Sequence, residues 1–304
     1  MIRVVFTVWA VATLTFFACR LIPGNTAFAL LGADASPARV REVEDRLGLN
    51  HPLLVQYWDF IKGLAQGNLG ESMTSNNSVS HLIGAVLPYT LELGLGAVLI
   101  AMIGGNFLGV LAAAFQDRAP DYLVRIVSLL LLSFPGFYLG VLMIFLIALP
   151  LHMPTNGSAG FSHIGENLYQ LILPALSLGL VGVAFQSRVT RSIMLETLGE
   201  DHIRTARAKG VGPWRVLLRH GLQPSAVPLV PLVGLYFIVV MGGSALTEQV
   251  FARPGMGEVL VNAINTRDYN VVQGAVIVYA IIVIFGTTLI DLAYRLVDPR
   301  VRHQ

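Results

Sequence analysis

Between Leu93 and Phe115 the chain carries no charged residue, and the same holds for Ile126–Leu151, Leu222–Thr247 and Tyr269–Ile290. A helix needs about 20 apolar residues to cross the hydrocarbon core of a bilayer. Inside that core every backbone N–H and C=O must be satisfied within the segment itself, and a helix does this. Two further apolar runs, about 4–22 and about 168–187, bring the expected total to six. The fold class read from this pattern is an all-α integral membrane protein with six transmembrane helices. Composition agrees, because only 12% of the 304 residues are charged, against about 25% in a soluble domain.

Six crossings place both termini on one side, and basic residues in the loops say which. One face collects Arg3, Arg118, Arg125, the basic residues from Arg188 to Arg219, and Arg295, Arg300 and Arg302. The other holds Arg39, Arg41, Arg46 and Lys62, in a loop long enough to escape the rule, plus Arg253 and Arg267. The first face, with both termini, is expected to be cytoplasmic. Cys19 is the only cysteine, so no internal disulfide forms. "TFFAC" resembles a lipoprotein cleavage site, but an uncleaved first span with a buried thiol fits the rest of the chain better.

The outer stretch, about 24–86, reads as structured. Ser36 and Pro37 mark a helix start, and Val40, Val43 and Leu47 follow at helical spacing. Leu54, Tyr57, Trp58 and Ile61 mark a second amphipathic helix suited to a lipid surface. Near the inner end of the chain, Asp291 and Asp298 read as local partners for Arg295 and Arg300.

Between the fourth and fifth spans lies "RTARAKGVGPWRVLLRH", basic and without an acid. Glu196–Lys209 reads as helix, Gly210 to Gly212 as a break, and Pro213 as the first turn of a second helix running to about Gln223. Trp214, Leu217, Leu218 and Leu222 would form an apolar stripe on that second helix. An ordinary positive-inside loop has this charge too. A DNA-binding helix-turn-helix has this shape, but tethers to membrane spans at both ends would keep it out of a groove, so no nucleic acid is expected. A docking knob for a cytoplasmic partner accounts for both the stripe and the charge.

The stretch "DHIRTARAKGVGPWRVLLRHGLQPSAVP" resembles the coupling loop of permease subunits of binding-protein-dependent ABC importers. Their Glu-Ala-Ala-x-x-x-Gly motif aligns on Gly210 and has Arg204, Thr205 and Ala206 in its first places. "TARAKG" is the form of the dipeptide/oligopeptide/nickel permease family, and "LPYTLELG", "SFPGFYLG", "LILPALSLG", "TEQVFARPGMGEVLVNAINTRDYN" and "DLAYRLVDPRVR" resemble other segments of it in order. The later Leu-Pro of the superfamily departs here to Leu222-Gln223-Pro224.

The resemblance implies a division into 1–86, a transmembrane helix plus outer helical segment, and 87–304, a MetI-like core with five transmembrane helices. It implies a bacterial inner-membrane permease for di- or oligopeptides, nickel chelates, glutathione or opines. It further implies a second permease, two ATPase subunits that bind ATP and Mg, an external solute-binding protein and surrounding lipid. The chain itself lacks a phosphate-binding Gly-rich loop, so no bound cofactor and no catalytic residue are expected in it. The docking loop would comprise Arg204, Thr205, Ala206, Arg207, Ala208, Lys209, Gly210, Trp214, Leu217 and Leu218. Glu92, Pro135, Gly136, Glu248 and Arg253 are candidates for the pathway or a gate. His81, His152 and His163 lack ligand-like spacing, so no metal is expected. The alternative is an ion-gradient-driven secondary transporter, which would call for inverted repeats and buried acidic ion sites.

Overall fold

The apolar runs form helices, and glycine lets those helices approach. The computed structural model of the chain describes residues 2–21, 31, 36–46 and 48–297. Its helices are α1 (Ile2–Leu21), α2 (Pro37–Arg46), α3 (Leu53–Ala65), α4 (Val79–Ala114), α5 (Ala119–Leu132) and α6 (Gly136–Met143). They continue with α7 (Ile164–Leu198), α8 (Asp201–Ala208), α9 (Pro213–Arg215), α10 (Gln223–Val250), α11 (Met256–Asn265) and α12 (Tyr269–Val297). Five helical stretches are long and apolar enough to cross a membrane: Val4–Leu21, Val79–Ala114, Phe161–Leu198, Pro213–Val250 and Tyr269–Ile290. A sixth crossing arises if the bent pair Ala119–Leu132 and Gly136–Ala148 counts as one span.

This bent pair takes the place of the third span expected over Ile126–Leu151. Its two halves meet at 100°, with Pro135 at the corner (φ −60°, ψ 145°). Proline has no N–H to donate and pushes the residue before it out of the α region. The second and fourth spans are also longer than expected, because α4 continues through Pro88 and α7 runs on past Arg188. The side chains of Asp291 and Arg295, together with all of Asp298 to Arg302 and Leu47, lie outside the described residues.

The chain divides into two units, Met1–Thr90 with Pro254–Ile284, and Leu91–Arg253 with Phe285–Gln304. In the first, Val79, Ile83, Met256, Ala263, Val271 and Ala275 form an apolar core. Asp268 is buried and accepts hydrogen bonds from Ser72 Oγ (2.6 Å), Met73 N–H (3.1 Å) and Thr74 Oγ1 (2.9 Å). These bonds tie the stretch before α4 to the stretch before α12. Helix α2 begins at Pro37 as expected, with the Ser36 carbonyl accepting from Val40 N–H. Helix α3 lies against α1, with Tyr57 and Phe60 against Phe16, and leaves Leu54 and Trp58 exposed.

In the second unit, α7 is the central element, packed against α5, α6 and α10. Small residues let it do so, as close helix approach in membranes requires. A Cβ on Gly105 would meet Gln186 Cβ at 2.5 Å, and one on Gly182 would meet the Tyr236 ring at 2.3 Å. The Gly109 contact is harder still, since its neighbours at 2.5 and 2.7 Å are Thr190 Cβ and the backbone oxygen of Ser187. Backbone cannot rotate away, so Gly109→Ala is expected to destabilise the folded chain by about 1–3 kcal/mol, the usual cost of overpacking. Thermal unfolding of the purified protein in nanodiscs reads this directly, and an unchanged midpoint would mean that α4 and α7 do not approach so closely.

Candidate functional site

Two constellations in the second unit carry the residues singled out by sequence. The first is the segment between α7 and α10. The expected helix 196–209 is broken at Gly199 and Glu200, and α8 begins at Asp201. Helix α8 is amphipathic: Ile203 and Ala206 are buried with Val216, while Arg204, Thr205, Arg207, Ala208 and Lys209 are exposed. Arg204 pairs with Asp201 at 3.3 Å, but both side chains are largely exposed, and such a pair adds little stability.

The turn after α8 is a Schellman motif. Gly210 N–H donates to Arg207 O (3.0 Å) and Val211 N–H to Ala206 O (3.2 Å). Those two bonds satisfy carbonyls that the helix end would otherwise leave open. Gly210 takes φ +77° with nothing within 4 Å of its Cβ position. Its conformation requires glycine, whereas the space around it does not. Val211 then packs back on the cluster of Ile203, Ala206 and Val216, the apolar contact that accompanies this cap.

The second arm runs Pro213–Arg215, then a π-helical turn Val216–Leu222, then continuously into α10. The π turn corrects the expected stripe. An ordinary α-helix would align Trp214, Leu217, Leu218 and Leu222, but widening the turn shifts the faces. Leu217 is buried against Val110, Ala113 and Met194, with Leu222 beside it. Trp214 and Leu218 are 61% and 52% exposed. Leu217 therefore anchors the segment to α4 and α7, while Trp214 and Leu218 present its outer surface. Arg118, Arg207 and Trp214 also line an open cleft of about 670 Å3 that has no acidic residue in its wall.

The second constellation gathers three of the gate candidates. Arg253 is fully buried, and its Nη2 donates to Glu92 Oε2 at 2.6 Å and to Asn167 Oδ1 at 3.1 Å. Asn167 Nδ2 donates to both Glu92 oxygens (2.9 and 3.0 Å), and Ser158 Oγ donates to Asn167. Arg253 is delivered there by the cap of α10. Ala252 takes φ +42°, and Arg253 N–H donates to the carbonyl of buried Glu248 at 2.8 Å. Gly157 N–H donates to the carbonyls of Phe251 and Ala252, so the loop before α7 is held to the same turn.

Pro135 and Gly136 lie elsewhere, at the 100° corner between α5 and α6, with Gly136 against Leu178. Sequence reasoning missed Asn167 and Ser158, because one polar side chain near a helix start carries no signal by itself. It also missed Asp121, which is fully buried and bound in two-pronged fashion by Arg191 (2.6 and 2.7 Å). A lone Asp beside an apolar run was the available hint, since buried charge demands a partner. No group of three or more His, Cys, Asp or Glu side chains is placed to hold a metal ion among the described residues.

Long apolar helices, a central glycine-packed span and a two-armed segment keyed to α4 and α7 mark a multi-pass membrane protein. Residues 105–303 match the model of the binding-protein-dependent transport system inner membrane component, and residues 1–94 match that family's N-terminal part. The chain belongs to this family of inner-membrane permeases, transport subunits rather than enzymes. It is 39% identical over 98% of its length to the di/tripeptide transport system permease protein DppB of Pseudomonas aeruginosa, covering 96% of that protein. It is 36% identical over 98% of its length to the glutathione transport system permease protein GsiC of Salmonella typhimurium, covering 95% of that protein. The fold is that of the MetNI methionine ABC transporter in an inward-facing conformation (TM-score 0.59, 19% identity, 71% of this chain and 96% of that one).

Proposed function

We propose that this chain forms half of the pathway of an ATP-driven importer for di- or tripeptides, or for a peptide-like solute such as glutathione. A second permease completes the pathway, and two ATPase subunits hold the ATP and Mg. An external binding protein delivers the solute, and both termini face the cytoplasm. The observation that carries this reading is the segment from Asp201 to Leu222. Ile203, Ala206 and Val216 pack its two arms together beside Leu198 of α7, and Leu217 locks it to α4 and α7. Its outer face offers Trp214, Leu218, Arg207 and Lys209 around a turn closed by Gly210. Such a unit transmits a push from an ATPase cleft into the spans, and its predominantly basic rim suits an acidic partner surface. The names of the similar permeases support the solute class.

The Glu92–Asn167–Arg253 network is proposed as the latch of the outer gate, released when the ATPases close. The corner at Pro135 and Gly136 is a place where the third crossing bends, and Glu248 supports the turn that carries Arg253. Lipid contacts fall to the exposed apolar faces, Leu54 and Trp58 among them.

Topology and partners are tested together. Gly160 has φ +75°, so exposed Ser162 is the better reporter of the outer loop. In sealed cells, an impermeant maleimide should label Ser162→Cys and spare Lys209→Cys, while native Cys19 stays buried. Labelling of Lys209→Cys would invert the topology. A tagged chain should co-purify with a second permease and an ATPase, and uptake of L-alanyl-L-alanine should need ATP. Uptake by the isolated chain on an ion gradient would instead make it a secondary carrier.

A further inference from the structure

Within the first unit a cavity of about 510 Å3 opens beside α3, and the import function does not yet use it. Its volume falls in the range of small-molecule sites, roughly 300–1,000 Å3. Arg20, Asp45, Gln56, Asp59, Asn270 and Gln273 supply its polar wall. Its apolar floor includes Leu49 and Met73, which pack with Cys19 and Tyr269.

Arg20 is held as a binding residue is held. Its Nε and Nη2 both donate to Gln56 Oε1 (3.1 and 3.0 Å), and Nη1 donates to Phe16 O (3.3 Å). Its guanidinium carbon lies 3.5 Å from the centre of the Phe16 ring. Gln56 is fixed in turn by donating to the carbonyls of Leu49 and His51. A guanidinium carries five N–H donors, so this arrangement orients Arg20 and leaves donors over. Among the described residues Arg20 has no carboxylate within ion-pair distance. Among the described residues Asp45 and Asp59 share the wall yet form no ion pair, Asp45 accepts from Asn50 Nδ2, and Asp59 makes no hydrogen bond.

Gln273 is the second, independent sign. It is 2% exposed, it lines the same cavity, and among the described residues its amide Nε2 has no oxygen or nitrogen acceptor. Its polar neighbour is the thiol of Cys19, a weak acceptor at best. Buried amide donors are almost always satisfied, so this one points to an acceptor that arrives from outside the chain.

Resting on the import reading and its outward placement of this segment, we propose that the cavity is a binding site for a small zwitterion of the amino-acid or dipeptide class. The ligand carboxylate meets Arg20 and the Nε2 of Gln273, and its ammonium group meets Asp59 and Asp45. Charges of both signs in one cavity, without ion pairs to one another among the described residues, select a molecule that carries both. A simple anion would meet the two carboxylates, and a simple cation would meet Arg20.

The test uses the complete importer complex in nanodiscs, without the external binding protein. Equilibrium binding is measured for radiolabelled L-alanyl-L-alanine, its N-acetyl form and its C-terminal amide. Each blocked form should bind about tenfold more weakly than the free dipeptide, the loss of one charge-assisted hydrogen bond. Asp59→Asn should weaken the free dipeptide about tenfold and leave the N-acetyl form unchanged. Arg20→Gln should do the converse, sparing the amide. Asp59 is exposed and unbonded, so its variant folds even if the Arg20 variant does not. Equal binding of all three probes overturns the proposal. So does a complex that imports the dipeptide with ATP and its binding protein in proteoliposomes but shows no direct binding in nanodiscs, and that outcome leaves the import reading standing. Direct binding with this selectivity in a complex that never imports would keep the site and sink the import reading.

Discussion

Gly210→Arg is expected to cut solute uptake to below about a tenth of the wild-type rate while the chain still reaches the membrane. Two effects are separable at this position. Any L-residue at φ +77° pays strain of about 1–2 kcal/mol, and alanine measures that alone. Nothing in the chain lies within 4 Å of the Cβ position, so a longer side chain meets no clash inside the molecule. Arginine therefore adds only what it does to a partner seated on the turn. Losing about 1.4 kcal/mol of docking energy lowers the affinity tenfold. The series Gly210→Ala and Gly210→Arg, read by uptake and by ATPase co-purification, should fall in two steps. Equal effects of the two variants on both readouts would reduce Gly210 to a helix cap.

Arg253→Met should destabilise the chain by about 3 kcal/mol, because it strands Glu92 beside an apolar side chain. Breaking a buried ion pair by removing one partner costs about 3–5 kcal/mol, and the lower end applies here since Glu92 keeps some exposure (18%). Glu92 also keeps its bonds from Asn167. Arg253→Lys retains the charge but loses the planar fork, and its loss should be smaller. The double variant Arg253→Met with Glu92→Gln should cost less than the sum of the singles, since both belong to one network. A latch makes a further demand that a merely structural pair does not. Weakening it shifts the population toward the outward-open state, so ATP hydrolysis without solute should rise. Lowered unfolding temperature with unchanged basal hydrolysis would leave the pair structural and remove it from the gate.

The segment from Asp201 to Leu222 shows how far sequence reasoning reaches. "RTARAKG" was legible because a glycine after a basic helix and a proline before the next are local signals, and local hydrogen bonding makes the turn. The division of labour within the segment was not legible. Leu217 and Leu218 are the same residue type side by side, and only the π turn and the positions of Val110, Ala113 and Met194 send one inward and leave the other out. Glu92 and Arg253 were readable one by one as charges near apolar runs. Their pairing was not, because the residues are far apart in the chain and Asn167, which joins them, is inconspicuous.

By itself the sequence determined that this chain spans a membrane, roughly where it does so, and which short stretch forms a turned, basic element. Each of these follows from the cost of exposing backbone polar groups or charge to hydrocarbon, and that cost is read residue by residue along one strand of text. Only the tertiary structure decided the 100° size of the bend in the third crossing, the Glu92–Asn167–Arg253 network, and the setting of Gln273 beside Arg20. Those depend on which helix faces meet, and the meeting is set by glycine clearances of a few ångströms between segments that have no sequence relation to one another.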